Sequence, residues 1–187
     1  DLGVEGMMLS PGYNYDKAPD QKHFLGRART RRLFRAMLTN RKPAWRFNQS
    51  MLFLEFLMGK RDFRCTPWGM PTYSIFGWQK PCYLLQDGYA DTFGELMATT
   101  EWANYGTESG NPQCANCMVH SGYEASGVDY TFSSLKGLLA TAKATLFTKN
   151  TDEEALLLLS EPAKPVHAYN PLVQIEGSPE KLEETRA

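Results

Sequence analysis

The chain has 187 residues, of which 42% are hydrophobic, 12% aromatic and 22% charged, with a formal net charge of -1. These values are typical of a globular protein and exclude an intrinsically disordered chain. No stretch approaches the roughly 20 apolar residues that a membrane-spanning helix needs, so the sequence also excludes an integral membrane class built on helices.

Residues 1–62 show the alternation of strands and helices that is typical of an α/β protein. An apolar run at residues 4–9 predicts a strand, and residues 20–40 carry an apolar stripe with helical spacing. The run at residues 44–47 predicts a second strand, and residues 50–59 predict a helix with a serine cap and a glycine stop. Because the chain opens with an aspartate directly before the first predicted strand, we expect that its N-terminal neighbours are missing from this sequence.

Residues 63–160 carry all four cysteines and predict a second, mainly helical domain. Residues 65–89 are dense in proline, glycine and aromatic side chains and predict two short strands among loops. Thr92 and Glu95 have the spacing of a capping box, which predicts a helix that ends near Trp102.

The C-terminal part of the chain predicts two more helices and a tail. A helical pattern covers residues 130–148, and a shorter one covers residues 152–159. Residues 161–187 are rich in proline and end in a charged run, which predicts an extended, poorly ordered segment.

A basic stretch at residues 22–64 holds 12 of the 20 lysines and arginines, against only Glu55 and Asp62. Such a stretch is typical of a solvated helix face, and it also fits a surface for nucleic acid, phosphate or anionic lipid.

The four cysteines, Cys65, Cys82, Cys114 and Cys117, have the spacing C-x16-C-x31-C-x2-C. The final CANC turn brings two thiolates within reach of one metal, and we expect the other two cysteines to fold back and complete a four-sulfur site. An iron–sulfur cluster, a zinc ion and unligated thiols all remain open, because only one of the two pairs is tight. His120 is a further candidate that could replace one thiolate.

Four blocks, SPGYNYDKAP, FNQSMLFLEFLMGK, CTPWGMPTYSIFGWQKPCYLLQDGYADTF and CANCMVHSGYEAS, resemble the C-terminal half of a known enzyme family. This is the hopanoid-biosynthesis radical S-adenosylmethionine family, the adenosyl hopene transferases, and the resemblance covers most of residues 1–175. It implies an enzyme whose 4Fe-4S cluster cleaves S-adenosylmethionine. The resulting 5′-deoxyadenosyl radical adds to the exocyclic alkene of a hopene and gives adenosylhopane.

The resemblance also implies the organisation of the chain. Residues 1–62 would be the last elements of a (β/α) radical-enzyme barrel, followed by the cysteine-bearing domain. The family's radical cluster is held by a CxxxCxxC motif, which this chain lacks. The four cysteines match the family's C-terminal extension instead, so the resemblance implies a second, auxiliary cluster, and the chain alone is expected to be inactive.

Candidate contacts follow from the same resemblance. Ser10, Tyr13 and Tyr15 follow the first predicted strand, where barrel enzymes place their sites, and are candidates for binding the adenosyl group. Trp68 and Trp78 belong to an aromatic block that could line a cavity for the triterpene hydrocarbon.

The implied enzyme is cytoplasmic, with a peripheral contact between the basic stretch and the anionic inner membrane face, and does not bind nucleic acid. The alternative is a zinc-stabilised binding module whose basic helix contacts nucleic acid. A third hypothesis is a domain whose cysteines bind nothing and which only covers the substrate.

Overall fold

The structure is a computed structural model that describes residues 3–13, 23–39, 41–42 and 44–146. These residues form α-helices around a buried central helix, with a small antiparallel sheet at one side. The helices are α1 (Arg27–Thr39), α2 (Met51–Leu57), α3 (Phe93–Thr99), α4 (His120–Phe132) and α5 (Leu135–Leu146). The strands are β1 (Tyr73–Ser74), β2 (Gly77–Lys80) and β3 (Gly88–Ala90), in the order β1-β2-β3.

The short helix α2 forms the centre of the core. Ser50 caps its first turn, because the Phe53 N–H donates to Ser50 Oγ at 3.1 Å. Gly59 ends it in the left-handed conformation, with φ of 73°. All residues of this helix except Glu55 are apolar, so most of its surface must be covered, and α1, α4 and α5 contact it. Its six fully buried side chains are those of Leu52, Phe53, Leu54, Phe56, Leu57 and the C-cap residue Met58.

The two strands predicted at residues 4–9 and 44–47 meet in a parallel arrangement but form only a single bridge, Met7 to Phe47. The Met7 N–H donates to the Arg46 carbonyl, and the Asn48 N–H donates to the Met7 carbonyl, both at 2.9 Å. The helix α1 lies between the two segments along the chain, so the order is that of a β/α unit. A barrel is neither visible in the described residues nor excluded by them.

A glutamine side chain continues this pairing where a neighbouring strand would otherwise do so. The Leu9 N–H donates to Gln49 Oε1 at 2.7 Å, and Gln49 Nε2 donates to the Leu9 carbonyl at 2.6 Å. Gln49 is buried, so both amide atoms need these partners. On the same segment Val4 and Met8 are exposed by 66% and 57%.

The small sheet is built around a glycine at the start of β2. Gly77 has φ of 112°, and a Cβ atom there would lie 2.6 Å from the Ala90 carbonyl oxygen. Close pairing of β2 with β3 therefore requires glycine. Trp78 pairs with Tyr73 on one side and Ala90 on the other. The sequence predicts two short strands in this region, and the structure has three.

Three helix predictions differ from the structure. The helix predicted to end near Trp102 ends at Thr99. The helix predicted at residues 20–40 begins at Arg27 within the described part. The helix predicted at residues 130–148 is two helices, because α4 ends at Phe132 and α5 begins at Leu135. The chain turns sharply there: a Cβ at Gly137 would lie 1.8 Å from the Tyr130 carbonyl oxygen.

The structure has no bearing on the helix predicted at residues 152–159 or on the tail at residues 161–187, because both lie outside the described residues. In the described part, no helix is long and apolar enough to cross a membrane.

We expect Gln49→Ala to lower the free energy of unfolding by about 1 to 3 kcal/mol, because both backbone groups of Leu9 lose their partner. Urea denaturation measures the change. Asn104→Ala, which removes an exposed amide, serves as the control and should stay within about 0.5 kcal/mol of the parent. Equal effects of the two substitutions would contradict a structural role for Gln49.

Candidate metal centre

All four cysteines line one cavity, although they come from three separate parts of the chain. Cys65 precedes the short 3-10 helix Pro67–Gly69, Cys82 follows β2, and the CANC turn lies just before α4. The cavity has a volume of about 30 Å³, and part of it is open to solvent. Its remaining wall is mostly apolar and includes Pro67, Pro81, Leu84, Leu85, Val119 and Tyr123.

The CANC turn is held by short-range backbone bonds. The Cys117 N–H donates to the Cys114 carbonyl at 3.1 Å, and the Cys114 N–H donates to the Asn111 carbonyl at 3.0 Å. Asn111 Oδ1 also accepts from the Gln113 N–H at 3.0 Å, which orders the residue before the first cysteine. This tight turn presents both sulfurs on the same side of the loop.

Arg27, the first residue of α1, anchors the turn from outside. Its backbone N–H donates to Asn116 Oδ1 at 3.0 Å, and its Nη1 donates to the Cys117 carbonyl at 2.9 Å. The guanidinium group also lies over the rings of Phe56 and Tyr123, 5.1 and 5.6 Å from their centroids. The side chain therefore links α1, the core and the second cysteine pair.

Cys65 is placed by the segment that follows it. The Thr66 N–H donates to the Gly122 carbonyl at 2.7 Å, and the Thr66 and Ser126 hydroxyls lie 2.8 Å apart. Two glycines leave room for the thiol: a Cβ at Gly122 would lie 2.8 Å from Cys65 Sγ, and one at Gly106 would lie 3.3 Å from Cys65 Cβ. Side chains at these positions would fill the space around the sulfur.

Burial raises the pKa of every thiol in the cavity. The pKa of Cys117 rises to about 11, and that of Cys65 rises further, first by desolvation and then by the charge of the three other cysteines. The pKa values of Cys82 and Cys114 are also raised by desolvation. Without a bound cation these thiols are neutral at pH 7, so they are poor nucleophiles.

Backbone N–H groups oppose this effect of burial. The N–H groups of Leu84 and Leu85 lower the pKa of Cys82. The N–H group of Gly106 lowers the pKa of Cys114, and that of Val119 lowers the pKa of Cys117. Donors directed at sulfur stabilise the thiolate, which is the form that binds a metal. The cavity thus combines an apolar wall with preformed partners for charged sulfur.

The cysteine cavity holds sulfur donors in an open arrangement. Among the described residues, no three histidine, cysteine or acidic side chains approach closely enough to hold one metal ion. The four cysteines nevertheless face the same space, and its donors are all sulfur, which suits iron–sulfur clusters. Side chains spaced around an iron–sulfur cubane lie farther apart than the ligands of one tetrahedral zinc.

Two tyrosines at the cavity remain neutral phenols. Burial raises the pKa of Tyr105 to about 12, and its hydroxyl donates to Asp87 Oδ2 at 2.9 Å. Burial also raises the pKa of Tyr123 to about 12, and its hydroxyl lies 3.0 Å from Thr107 Oγ1. Both hydroxyls are thus engaged with polar neighbours at the wall.

The residues predicted to bind the adenosyl group are separated. Tyr13 lines the cysteine cavity, and its hydroxyl donates to the Gln113 carbonyl at 3.0 Å. Ser10 lies in a different cavity and accepts from the His120 N–H at 3.4 Å. Tyr15 lies outside the described residues. His120 begins α4 and does not line the cysteine cavity.

The two predicted substrate tryptophans do not line the cysteine cavity either. Trp68 is 38% exposed and contacts Trp102 edge-on, with ring centroids 5.2 Å apart. Trp78 is half-buried in the sheet between the rings of Tyr73 and Phe93, at 5.2 and 5.4 Å. Each ring therefore has aromatic partners of its own.

Part of the basic stretch is engaged within the protein. Arg31 pairs with Asp62, and Arg61 pairs with Glu55. Arg35 Nε donates to the Met58 carbonyl at 3.1 Å. Arg29 and Arg32 of α1 are exposed, so the basic helix for nucleic acid stays a prediction. The contacts of Arg27 could not be predicted from the sequence, because no local pattern distinguishes this residue from its basic neighbours.

The chain belongs to the family described as Domain of unknown function (DUF3463), whose match spans residues 7–141 and includes all four cysteines. The curated proteins and the solved structures yield no match.

We expect Gly122→Ala to lower the free energy of unfolding by about 1 to 3 kcal/mol, because the added methyl group must displace the Cys65 thiol. Gly94→Ala is the matched control in α3, where the nearest atom lies 3.9 Å away. That control should be neutral or stabilising by up to about 1 kcal/mol, since alanine favours helix. Thermal denaturation of both variants tests whether Cys65 needs the space that Gly122 leaves. Equal stability of the two variants would contradict this requirement.

Proposed function

We propose that this member of the DUF3463 family binds a 4Fe-4S cluster through Cys65, Cys82, Cys114 and Cys117. One observation carries the proposal: four cysteines from three parts of the chain line a single apolar cavity. Thiols that were buried only for packing would not need to meet in one cavity. The glycines beside Cys65 also keep the space around its sulfur open.

When bound, such a cluster supplies one-electron transfer. The residues of this chain would hold it and set its surroundings. The N–H groups of Leu84, Leu85, Gly106 and Val119 stabilise charge on three of the sulfurs. The apolar wall limits water at the thiolates, and Arg27 keeps the CANC turn in place through the Cys117 carbonyl.

The resemblance extends this proposal to a reaction. We infer that the chain is the C-terminal half of a radical S-adenosylmethionine enzyme that adds the 5′-deoxyadenosyl radical to a hopene and forms adenosylhopane. The parallel pairing of residue 7 with residue 47 across α1 supports a β/α contribution to a larger barrel. The exposure of Val4 and Met8 is in keeping with a further element beside this segment.

The proposed substrate contacts are the residues that the family resemblance implies. Trp68 and Trp78 would contribute to an apolar wall for the triterpene, since both have partly accessible rings. Tyr13, at the wall of the cysteine cavity, is better placed than Ser10 to lie between a cluster and an adenosyl group. A zinc-stabilised module is the second candidate, because all four ligands are also suitable for zinc.

Anaerobic reconstitution with iron and sulfide tests the cluster. We expect a brown protein with about four iron and four sulfide ions per chain, and loss of most of the iron in each single Cys→Ser variant. Ser121→Ala, which changes another buried residue of the same cavity, is the matched control and should retain its iron.

Two results would contradict the cluster. Colourless protein with one zinc ion per chain would favour the zinc-stabilised module. Full iron content in both Cys65→Ser and Cys82→Ser would show that these cysteines are not ligands.

The reconstituted chain, tested alone, should not cleave S-adenosylmethionine under reducing conditions, because it lacks the CxxxCxxC motif. Chromatographic detection of 5′-deoxyadenosine measures this directly, and an intact enzyme of the radical class serves as the positive control. Formation of 5′-deoxyadenosine by this chain would overturn the division of roles between the two halves.

A further inference from the structure

The helix α5 is oriented with its large apolar side chains away from the protein. Leu135, Leu139 and Leu146 are exposed by 79%, 71% and 72%. Their spacing of four and seven residues places them on one side of the helix. A helix packed on a core normally buries such a stripe, so this orientation needs a cause.

The opposite side of α5 carries the small residues that contact the core. Gly137 and Ala144 are buried there, and the hydroxyls of Thr141 and Thr131 lie 2.9 Å apart between α5 and α4. Close packing of the two helices therefore selects small side chains on the inner side. The most exposed leucines, Leu135, Leu139 and Leu146, lie on the outer side.

Phe132, at the end of α4, is exposed as well. We define the leucine face as Phe132, Leu135, Leu138, Leu139 and Leu146, which are exposed by 43% to 79%. A group of large exposed apolar side chains of this kind marks an interaction site.

Lysines are the charged residues of α5. Residues 135–146 include Lys136 and Lys143 and no aspartate or glutamate, whereas Asp129 of α4 lies close to Phe132 at the end of the leucine face. Lys136 and Lys143 both lie on α5, seven residues apart, and so project along the same edge of the leucine stripe. An apolar stripe bordered by lysines is the pattern of a helix that lies in the interface of a membrane.

We propose that the leucine face is a docking surface for an anionic lipid membrane. The leucines and Phe132 would enter the boundary between headgroups and acyl chains, with α5 parallel to the surface. Lys136 and Lys143 would meet the phosphate groups. The proposal does not depend on the cluster, and it locates membrane contact on α5 and not on the basic stretch, where Arg31, Arg35 and Arg61 are engaged internally.

A second copy of the chain fits this surface less well. Antiparallel two-fold pairing of two α5 helices would place the lysine edges of both copies on the same side of the interface, where like charges repel. An anionic surface turns the same lysines into favourable contacts.

Vesicle flotation of the full chain tests the proposal. We expect binding to vesicles that contain phosphatidylglycerol and much weaker binding to pure phosphatidylcholine, with the difference reduced at high salt. The double variant Leu135→Ser/Leu139→Ser should lower the partition coefficient by about tenfold or more. Lys136→Glu/Lys143→Glu should lower it by roughly twentyfold or more on anionic vesicles alone.

Ile75→Ser is the matched control, because Ile75 is 93% exposed but lies in the turn between β1 and β2. It should bind vesicles like the parent. Circular dichroism confirms that each variant is folded, which the high exposure of the altered leucines leads us to expect.

Three results would overturn the proposal. These are equal binding to both kinds of vesicle, no vesicle binding, and a dimer in sedimentation that Leu135→Ser/Leu139→Ser dissociates. The last would assign the leucine face to a second copy of the chain.

Discussion

The stacking of Phe56 on Tyr123 connects the core of this protein to its cysteine cavity. The two rings are fully buried, with centroids 4.4 Å apart and planes inclined by 25°. Phe56 belongs to the central helix α2, whereas Tyr123 belongs to α4 and forms part of the cavity wall. The guanidinium group of Arg27 lies over both rings and also donates to the Cys117 carbonyl. The ring pair therefore helps to position the first residue of α1 against the CANC turn. A shift of this ring pair would therefore move the core, the turn and the cavity together.

Burial and hydrogen bonding act against each other at the four sulfurs. The apolar wall raises the pKa of each thiol, while amide N–H groups at three of them favour the thiolate. A reactive cysteine would instead need an accessible, electropositive position. The proposed cluster would resolve the conflict, because its iron ions would supply the opposite charge that the buried sulfurs lack. The electrostatics thus favour a ligand site over a nucleophile.

The pattern of charge and hydrophobicity along the chain does not by itself show which face of a helix packs on the core and which is exposed. The basic stretch suggests an external surface, yet Arg27, Arg31 and Arg61 serve contacts within the protein. The apolar pattern of α5 suggests a core helix, yet its leucines are exposed and its glycine and alanine are buried. In α5 the close approach of α4 decided which residues fit the inner side, whereas α1 buries the large side chains of Phe34 and Leu38.

The sequence by itself determined the features that depend on neighbours within about four residues. The Ser50 cap, the Gly59 stop and the Thr92–Glu95 box all occur as predicted, because each is a short-range bond or a single backbone conformation. The CANC spacing likewise determines a turn that presents two sulfurs.

Only the tertiary structure decided the remaining features. Cys65 and Cys82 reach the CANC turn through contacts such as that of Thr66 with Gly122, which join residues 56 positions apart. The break between α4 and α5 depends on the close approach of Gly137 to Tyr130, and α4 itself lacks a clear apolar stripe. Local patterns carry no information on such contacts, because the free energy of burial depends on which distant segments meet.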